Sequence, residues 1–345
     1  MKIGNRELEI PVIQGGMGVG VSMSGLAGHV AACGGIGIIS TAQIGFCSPD
    51  FNKNPIPCNL EAIKEEIRKA KDIAGGRGLV GVNIMVVTRQ YEDYVKAAVD
   101  AGADIIISGA GLPMDLPRVV GDKPVLLAPI VSGRRALRVI LQYWKKHYGK
   151  TPDLVVVEGP MAGGHLGFDR EELEEYKSKS FDGQLQEILE LTKKTDIPVV
   201  MAGGVYKRED MLHYLEMGAR GVQMATRFVT TYECDADIRY KEAYLNAKKE
   251  DIVIVKSPVG MPGRAILNPF MKKVKELGRL KPAHCFHCLK HCNPGTTPYC
   301  ITQALINAAK GKVDDALLFC GAYAYQATRL ETVKEVIDSL MPERV

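Results

Sequence analysis

No apolar run in this chain approaches the roughly 18 residues that cross a membrane, and no basic segment followed by an apolar stretch stands near Met1. Neither a membrane span nor a secretory leader is expected, and a cytoplasmic chain is. A surplus of one charge is also missing. Against 44 lysines and arginines stand 40 aspartates and glutamates, a net of +4, too even a balance to draw the chain to nucleic acid or to an anionic membrane. The expected partner is a small-molecule substrate, and the one protein partner to consider is a second copy, as a homodimer. No G-x-G-x-x-G follows the first apolar run, which argues against a dinucleotide-binding open sheet. Internal repeats beyond a strand–helix unit are lacking, and so are low-complexity segments.

What the chain does have is apolar residues, 46% of 345, ample for a solid core. Short apolar runs alternate with longer helical patterns. Residues 11–16, 36–40, 79–85, 104–109, 124–131, 154–158, 197–204 and 221–228 read as strands, with helices between them such as 60–73 and, last, 237–249. Eight such units in about 250 residues are what a (β/α)8 barrel requires, and strands apolar throughout are expected where helices cover a parallel sheet. The expected fold is therefore α/β, a TIM barrel over residues 1–250. Residues 251–345 read as a helical, cysteine-rich appendage with two helices, 42–58 as a loop and 160–179 as a charged insertion.

In such a barrel the C-terminal strand ends carry the chemistry. The sixth strand runs into Glu158-Gly159-Pro160-Met161-Ala162-Gly163-Gly164-His165. Its glycines let the backbone approach a ligand and aim N–H groups at anionic oxygens, and His165 falls on the reactive face. Ala202-Gly203-Gly204 and Ala225-Thr226-Arg227 end the next two strands, the place where barrels bind a phosphate through backbone N–H groups. Thr226 adds a hydroxyl there and Arg227 a charge. Gln14-Gly15-Gly16-Met17, Asn83, Gly109-Ala110-Gly111 and Gln223 offer amides, backbone and a thioether, a set suited to a planar, hydrogen-bonding heterocycle such as a flavin. The plainer alternatives are a tight turn at 158–165 and solvent-facing strand ends at Asn83 and Gln223.

Six motifs taken in order resemble the nitronate monooxygenase family, also called 2-nitropropane dioxygenase-like. They are Gln14-Gly15-Gly16-Met17, Gly81-Val82-Asn83-Ile84-Met85, Gly109-Ala110-Gly111, Ala162-Gly163-Gly164-His165, Ala202-Gly203-Gly204 and the run from Gln223 to Phe228. The family includes the flavin-dependent enoyl-acyl-carrier-protein reductases. The resemblance implies an FMN-containing TIM barrel, with FMN contacts from Gly15, Gly16, Met17, Asn83, Glu158, Gly163, Gly203 and Gly204, and from Gln223, Met224, Ala225 and Thr226. It also implies that His165 is the active-site histidine, the catalytic base of the nitronate-oxidising members, and an imidazole titrating near neutral pH suits proton transfer. Oxidation of alkyl nitronates is the expected reaction. Its rival is an NAD(P)H-dependent reduction of an activated C=C bond, such as that of an enoyl thioester. A flavin- or metal-binding regulator without turnover is a third reading, against which His165 at a strand end counts.

Nine cysteines cannot all pair within one chain, and four of them crowd together as Cys285, Cys288, Cys292 and Cys300, interleaved with His284, His287 and His291. That pattern predicts a reducing compartment and a metal site rather than a disulfide framework. Tetrahedral thiolates suit zinc or an iron–sulfur cluster. The spacing is similar to the [4Fe–4S] segment of the 2,4-dienoyl-CoA reductase group, with a shorter last gap. A cluster would relay single electrons to FMN, whereas zinc would staple the appendage.

Overall fold

The computed structural model describes residues 1–4 and 6–341. Eight parallel strands close into a barrel in chain order: β1 (Val12–Gln14), β2 (Ile36–Ser40), β3 (Leu79–Met85), β4 (Ile105–Gly109), β5 (Leu126–Val131), β6 (Val155–Glu158), β7 (Val199–Ala202) and β8 (Gly221–Met224). Pairing of β8 with β1, Met224 opposite Gln14, shuts the ring. This is the TIM barrel expected from the alternating runs. Ile36, Ile38, Ile105, Ile107, Val156 and Val200 share one interior cluster, while Ile39, Ile106, Val155, Val157 and Val199 pack in the layer shared with the helices. Both faces of each strand are buried, which is why the runs stay largely apolar up to their C-terminal ends. A hairpin of Lys2–Ile3 and Arg6–Glu7, not foreseen from the sequence, adds Ile3 and to its side Leu8 to the interior cluster.

Helices α1 (Ser24–Ala32), α2 (Pro55–Ala74), α3 (Tyr91–Asp100), α4 (Leu116–Val120), α5 (Arg134–Tyr148), α6 (Asp182–Lys193) and α7 (Arg208–Met217) follow the first seven strands. Helix α2 starts at Pro55 rather than near Leu60, because a proline at the first helical position is already set for the turn. It buries Ile63, Ile67, Ala70 and Ala74 and stops at Gly75, whose φ of 59° is left-handed.

The end of the chain departs from the expectation. Strand β8 stops at Met224 instead of running to Phe228, and Thr226–Val229 form one helical turn. The helix expected at 237–249 is α8 (Ile238–Leu245), which packs Tyr240 and Tyr244 against Leu318, Cys320 and Ala324 and does not close the barrel. After it the described residues form three α-helices rather than two: α9 (Pro269–Leu277), α10 (Ile301–Ala309) and α11 (Val333–Leu340). Helix α11 takes the eighth outer position. Its Val333, Val336, Ile337 and Leu340 recur at i, i+3, i+4 and i+7 and pack with Leu26 and Val30 of α1, Met211 of α7 and Phe228. The cysteine-rich stretch is thus inserted between the last strand and the last helix of the barrel, and 342–345 lie outside the described residues.

Within the insert, β9 (Ile252–Lys256) and β10 (Pro262–Ile266) form an antiparallel hairpin. The two-residue strand Gly164–His165 joins its edge, with His165 opposite Gly263. The segment expected as a charged insertion therefore begins as structured sheet. Its charged part is the short helix Arg170–Glu175, started by a reciprocal cap between Asp169 and Glu172.

Candidate active site

A cavity of about 920 Å³ opens where the C-terminal strand ends meet the inserted segment. The strand ends singled out in the sequence converge on it. From β1 come Gly15, Gly16 and Met17; from β3, Asn83; from β6 and the turn after it, Glu158, Gly163 and His165. Strand β7 contributes Gly203 and Gly204, and β8 contributes Gln223, Met224, Ala225 and Thr226. A closed parallel barrel produces this convergence, since all eight strands finish on one face.

Backbone forms much of the wall. A Cβ at Gly16 would come within 2.5 Å of Asn83 Cβ, and one at Gly203, whose φ is 83°, within 2.7 Å of Ala162 N. Gly203→Ala is accordingly expected to destabilise the protein by about 1–3 kcal/mol. A thermal melt checks this, and an unchanged midpoint would show that the close approach is relaxed without strain. Gln14 takes no part in the cavity wall. Its side chain spans to β2, accepting the Ile38 N–H at 3.1 Å and donating to Ile38 O at 3.2 Å. Gln223 differs: its Oε1 is buried and has no partner among the described residues.

His165 stands on the edge of the small sheet, with Nε2 2.7 Å from Ser257 Oγ. The Phe319 ring meets it edge-on, centroids 4.9 Å apart at 67°. Burial pulls the imidazole pKa down to about 4. It is neutral at pH 7. Burial has the opposite effect on the nearby carboxyl of Glu158, whose pKa rises to about 8 although the Arg264 charge pulls it down. Arg264 is itself buried and donates to the carbonyls of Ala162 and Pro160, the latter at 2.8 Å, which fixes the turn leading to His165. Ser257, Arg264 and Phe319 were not found from the sequence. All three come from the insert, and only long-range packing brings them here.

At the expected phosphate end, Thr226 Oγ1 accepts the Gly321 N–H at 2.8 Å, which leaves its hydroxyl proton to donate. Arg227 is committed elsewhere: it pairs with Glu331 at 3.1 Å and donates to Tyr206 O. It is therefore not the free charge its position suggested.

The cysteine expectation is not supported. Among the described residues, no three His, Cys, Asp or Glu side chains form a group that could hold a metal ion. Cys288 and Cys292 lie against the cluster of Phe270, Val274 and Leu289, whereas Cys300 packs with Phe286 and Ile306 and precedes α10 as its N-cap. Cys285 Sγ is 4.0 Å from His287 Nδ1. Burial raises the Cys288 and Cys300 thiols, and the nearby Cys292 adds to both. Their side chains nonetheless serve different apolar clusters.

The sequence model of the nitronate monooxygenase family matches residues 1–343. The chain belongs to the nitronate monooxygenase family. This family member is 25% identical over 297 residues to a probable nitronate monooxygenase of Staphylococcus haemolyticus, 80% of each chain being covered. Its likeness to a probable nitronate monooxygenase of Staphylococcus saprophyticus is higher but shorter, 34% over 124 residues, 36% of this chain and 34% of that one. In structure it is similar to a nitroalkane oxidase from Streptomyces ansochromogenes, with a TM-score of 0.74 at 18% identity, covering 96% of this chain and 95% of the other; at that identity the likeness concerns the fold. The family member is an enzyme, an oxidoreductase. None of its described helices is long and apolar enough to cross a membrane.

Proposed function

We propose that this enzyme binds FMN in the cavity and oxidises alkyl nitronates with O2. The observation that carries the reading is the buried, unpartnered Gln223 Oε1 in a cavity walled by glycine backbone. An unpaired buried acceptor costs about 1–3 kcal/mol, and an N–H of an isoalloxazine ring would satisfy it. The remaining groups fit FMN as well. Gly203 and Gly204 offer main-chain N–H groups, and Thr226 its free hydroxyl proton, to a phosphate. Glu158, protonated at pH 7, can donate to the ring without placing a negative charge beside it. Bound there, FMN would accept electrons from the nitronate and yield them to O2.

His165 belongs at the substrate. Its low pKa makes it a weak base, which argues against proton abstraction from a neutral nitroalkane and for hydrogen bonding to a substrate that is already an anion. The test is an anaerobic absorbance titration of the flavoprotein. Bleaching by a preformed alkyl nitronate, with recovery in air and no response to NADH or NADPH, is the expected result.

A second reading rests on the cavity rim, where Leu112 and Val139 remain 37% and 38% exposed. An apolar rim suits a longer substrate, such as an enoyl thioester reduced at C=C by NAD(P)H. Bleaching by NAD(P)H and recovery with an enoyl thioester in that titration would replace the nitronate reading by this one.

A further inference from the structure

We propose that Ser257 is a positioning residue that holds His165 in the tautomer protonated on Nδ1. The imidazole then meets the substrate as a hydrogen-bond donor and selects a preformed planar oxyanion over a neutral carbon acid. This rests on the placement of substrate beside His165 proposed above.

The argument follows the hydrogens. Ser257 is 2% exposed, and its Oγ lies 2.7 Å from His165 Nε2 and 3.3 Å from the Val259 N–H. A backbone N–H can only donate, so Ser257 Oγ accepts from Val259. Its one hydroxyl proton is left over, and the acceptor in reach is His165 Nε2. In that arrangement the Val259 N–H and the Ser257 hydroxyl proton both have acceptors, and the donor left over, His165 Nδ1–H, belongs to a residue that borders the cavity, as Ser257 does not. In the reverse tautomer, Nε2–H and the Val259 N–H would both point at Oγ, and the hydroxyl proton would have no acceptor among the described residues. Leaving a buried donor unpaired is the more costly choice.

The ring has little freedom to escape this choice. Its backbone is paired with Gly263 of β10, and Phe319 lies edge-on against it. Gly263 is needed for that contact, since a Cβ there would come within 2.8 Å of the Phe319 ring. Ser257 follows β9, the other strand of the same hairpin, so one supersecondary unit fixes both the position of the histidine and its proton. With Nε2 occupied, Nδ1 is the ring nitrogen without a partner among the described residues, and His165 borders the cavity. A neutral imidazole presenting N–H there donates to an oxygen that already carries charge, as in a nitronate or an enolate. It has no lone pair on that side with which to take a proton from carbon.

The decisive measurement is the tautomer itself. In protein labelled with 15N-histidine, long-range 15N–1H correlations distinguish the two neutral forms, and His165→Gln identifies which of the seven histidines is His165. The native protein is expected to give the Nδ1–H pattern, Ser257→Ala a mixture, and Ser257→Thr the native pattern again. Nitrate, an unreactive planar oxyanion, serves as the binding probe. Its affinity, read from the flavin absorbance, is expected to fall about tenfold in Ser257→Ala, about the loss of one modest hydrogen bond, and to recover in Ser257→Thr. An Nε2–H pattern in the native protein would overturn the proposal, as would unchanged nitrate binding in Ser257→Ala. Should Ser257→Ala not fold, the native spectrum and the threonine variant decide. The tautomer is read without turnover, so a flavin that nitronate fails to reduce would sink the nitronate reading and leave the Ser257 assignment standing.

Discussion

Replacing His165 with alanine is expected to lower kcat/KM for a preformed alkyl nitronate by about 10²- to 10³-fold, the usual loss when one donor to a reacting oxyanion is removed. Flavin should stay bound. The strand ends proposed to hold it, from Gly15 to Thr226, belong to the barrel, whereas His165 stands on the edge of the added sheet. His165→Asn, which keeps an N–H donor but cannot act as a base, should recover part of the loss. Steady-state oxygen uptake with nitronate, beside the flavin content of each variant, checks both statements. A histidine acting as base would behave differently: alanine and asparagine would be equally poor, and the defect would be largest with the neutral nitroalkane. That pattern would reject the donor role.

Glu158→Gln is expected to abolish a pH dependence of stability. In the folded protein the carboxyl titrates near 8, against an ordinary value of 4.5. Between these values the unfolded chain releases a proton that the folded chain keeps. The stability contributed by the neutral carboxyl is thus complete below about pH 4.5 and is lost as pH rises towards 8. A tenfold difference in proton affinity between the folded and unfolded chain is worth about 1.4 kcal/mol, so the native protein should lose on the order of 2–4 kcal/mol from pH 5 to pH 8, allowing for water in the cavity. Glutamine is isosteric and cannot ionise. Its variant should lack that slope and exceed the native protein in stability at pH 8. Urea unfolding at several pH values measures this, and a slope that persists in Glu158→Gln would assign it to another group. Arg264 should tolerate the change, because its guanidinium is already bonded to the carbonyls of Pro160 and Ala162.

Much of the site was legible because a parallel barrel maps sequence onto space in a simple way. A glycine-rich stretch after an apolar run must lie at the C-terminal mouth, so Gly15, Gly203, Gln223 and His165 could be placed together from their order in the chain. Two readings find no support in the structure. Arg227 read as a charge beside the expected phosphate, yet Glu331, across the inserted segment, pairs with it at 3.1 Å. Cys285, Cys288, Cys292 and Cys300 share a spacing that suits metal ligands, but spacing says nothing about which apolar cluster each side chain will join, and Cys288 and Cys292 join one while Cys300 joins another.

By itself, then, the sequence determined the barrel, the face on which the cavity opens and the family, because periodic apolar runs and glycine-rich strand ends are local signals that every barrel reads in the same way. Tertiary structure decided what those residues can do. The eighth helix is Val333–Leu340 because an amphipathic stripe finds its groove beside α1 and α7, however distant in the chain. The protonation of Glu158, the neutrality of His165 and its bond to Ser257 arise from burial and from a hairpin folding back over the mouth. Desolvation and hydrogen-bond geometry depend on neighbours in space, and residue order along the chain does not encode them locally.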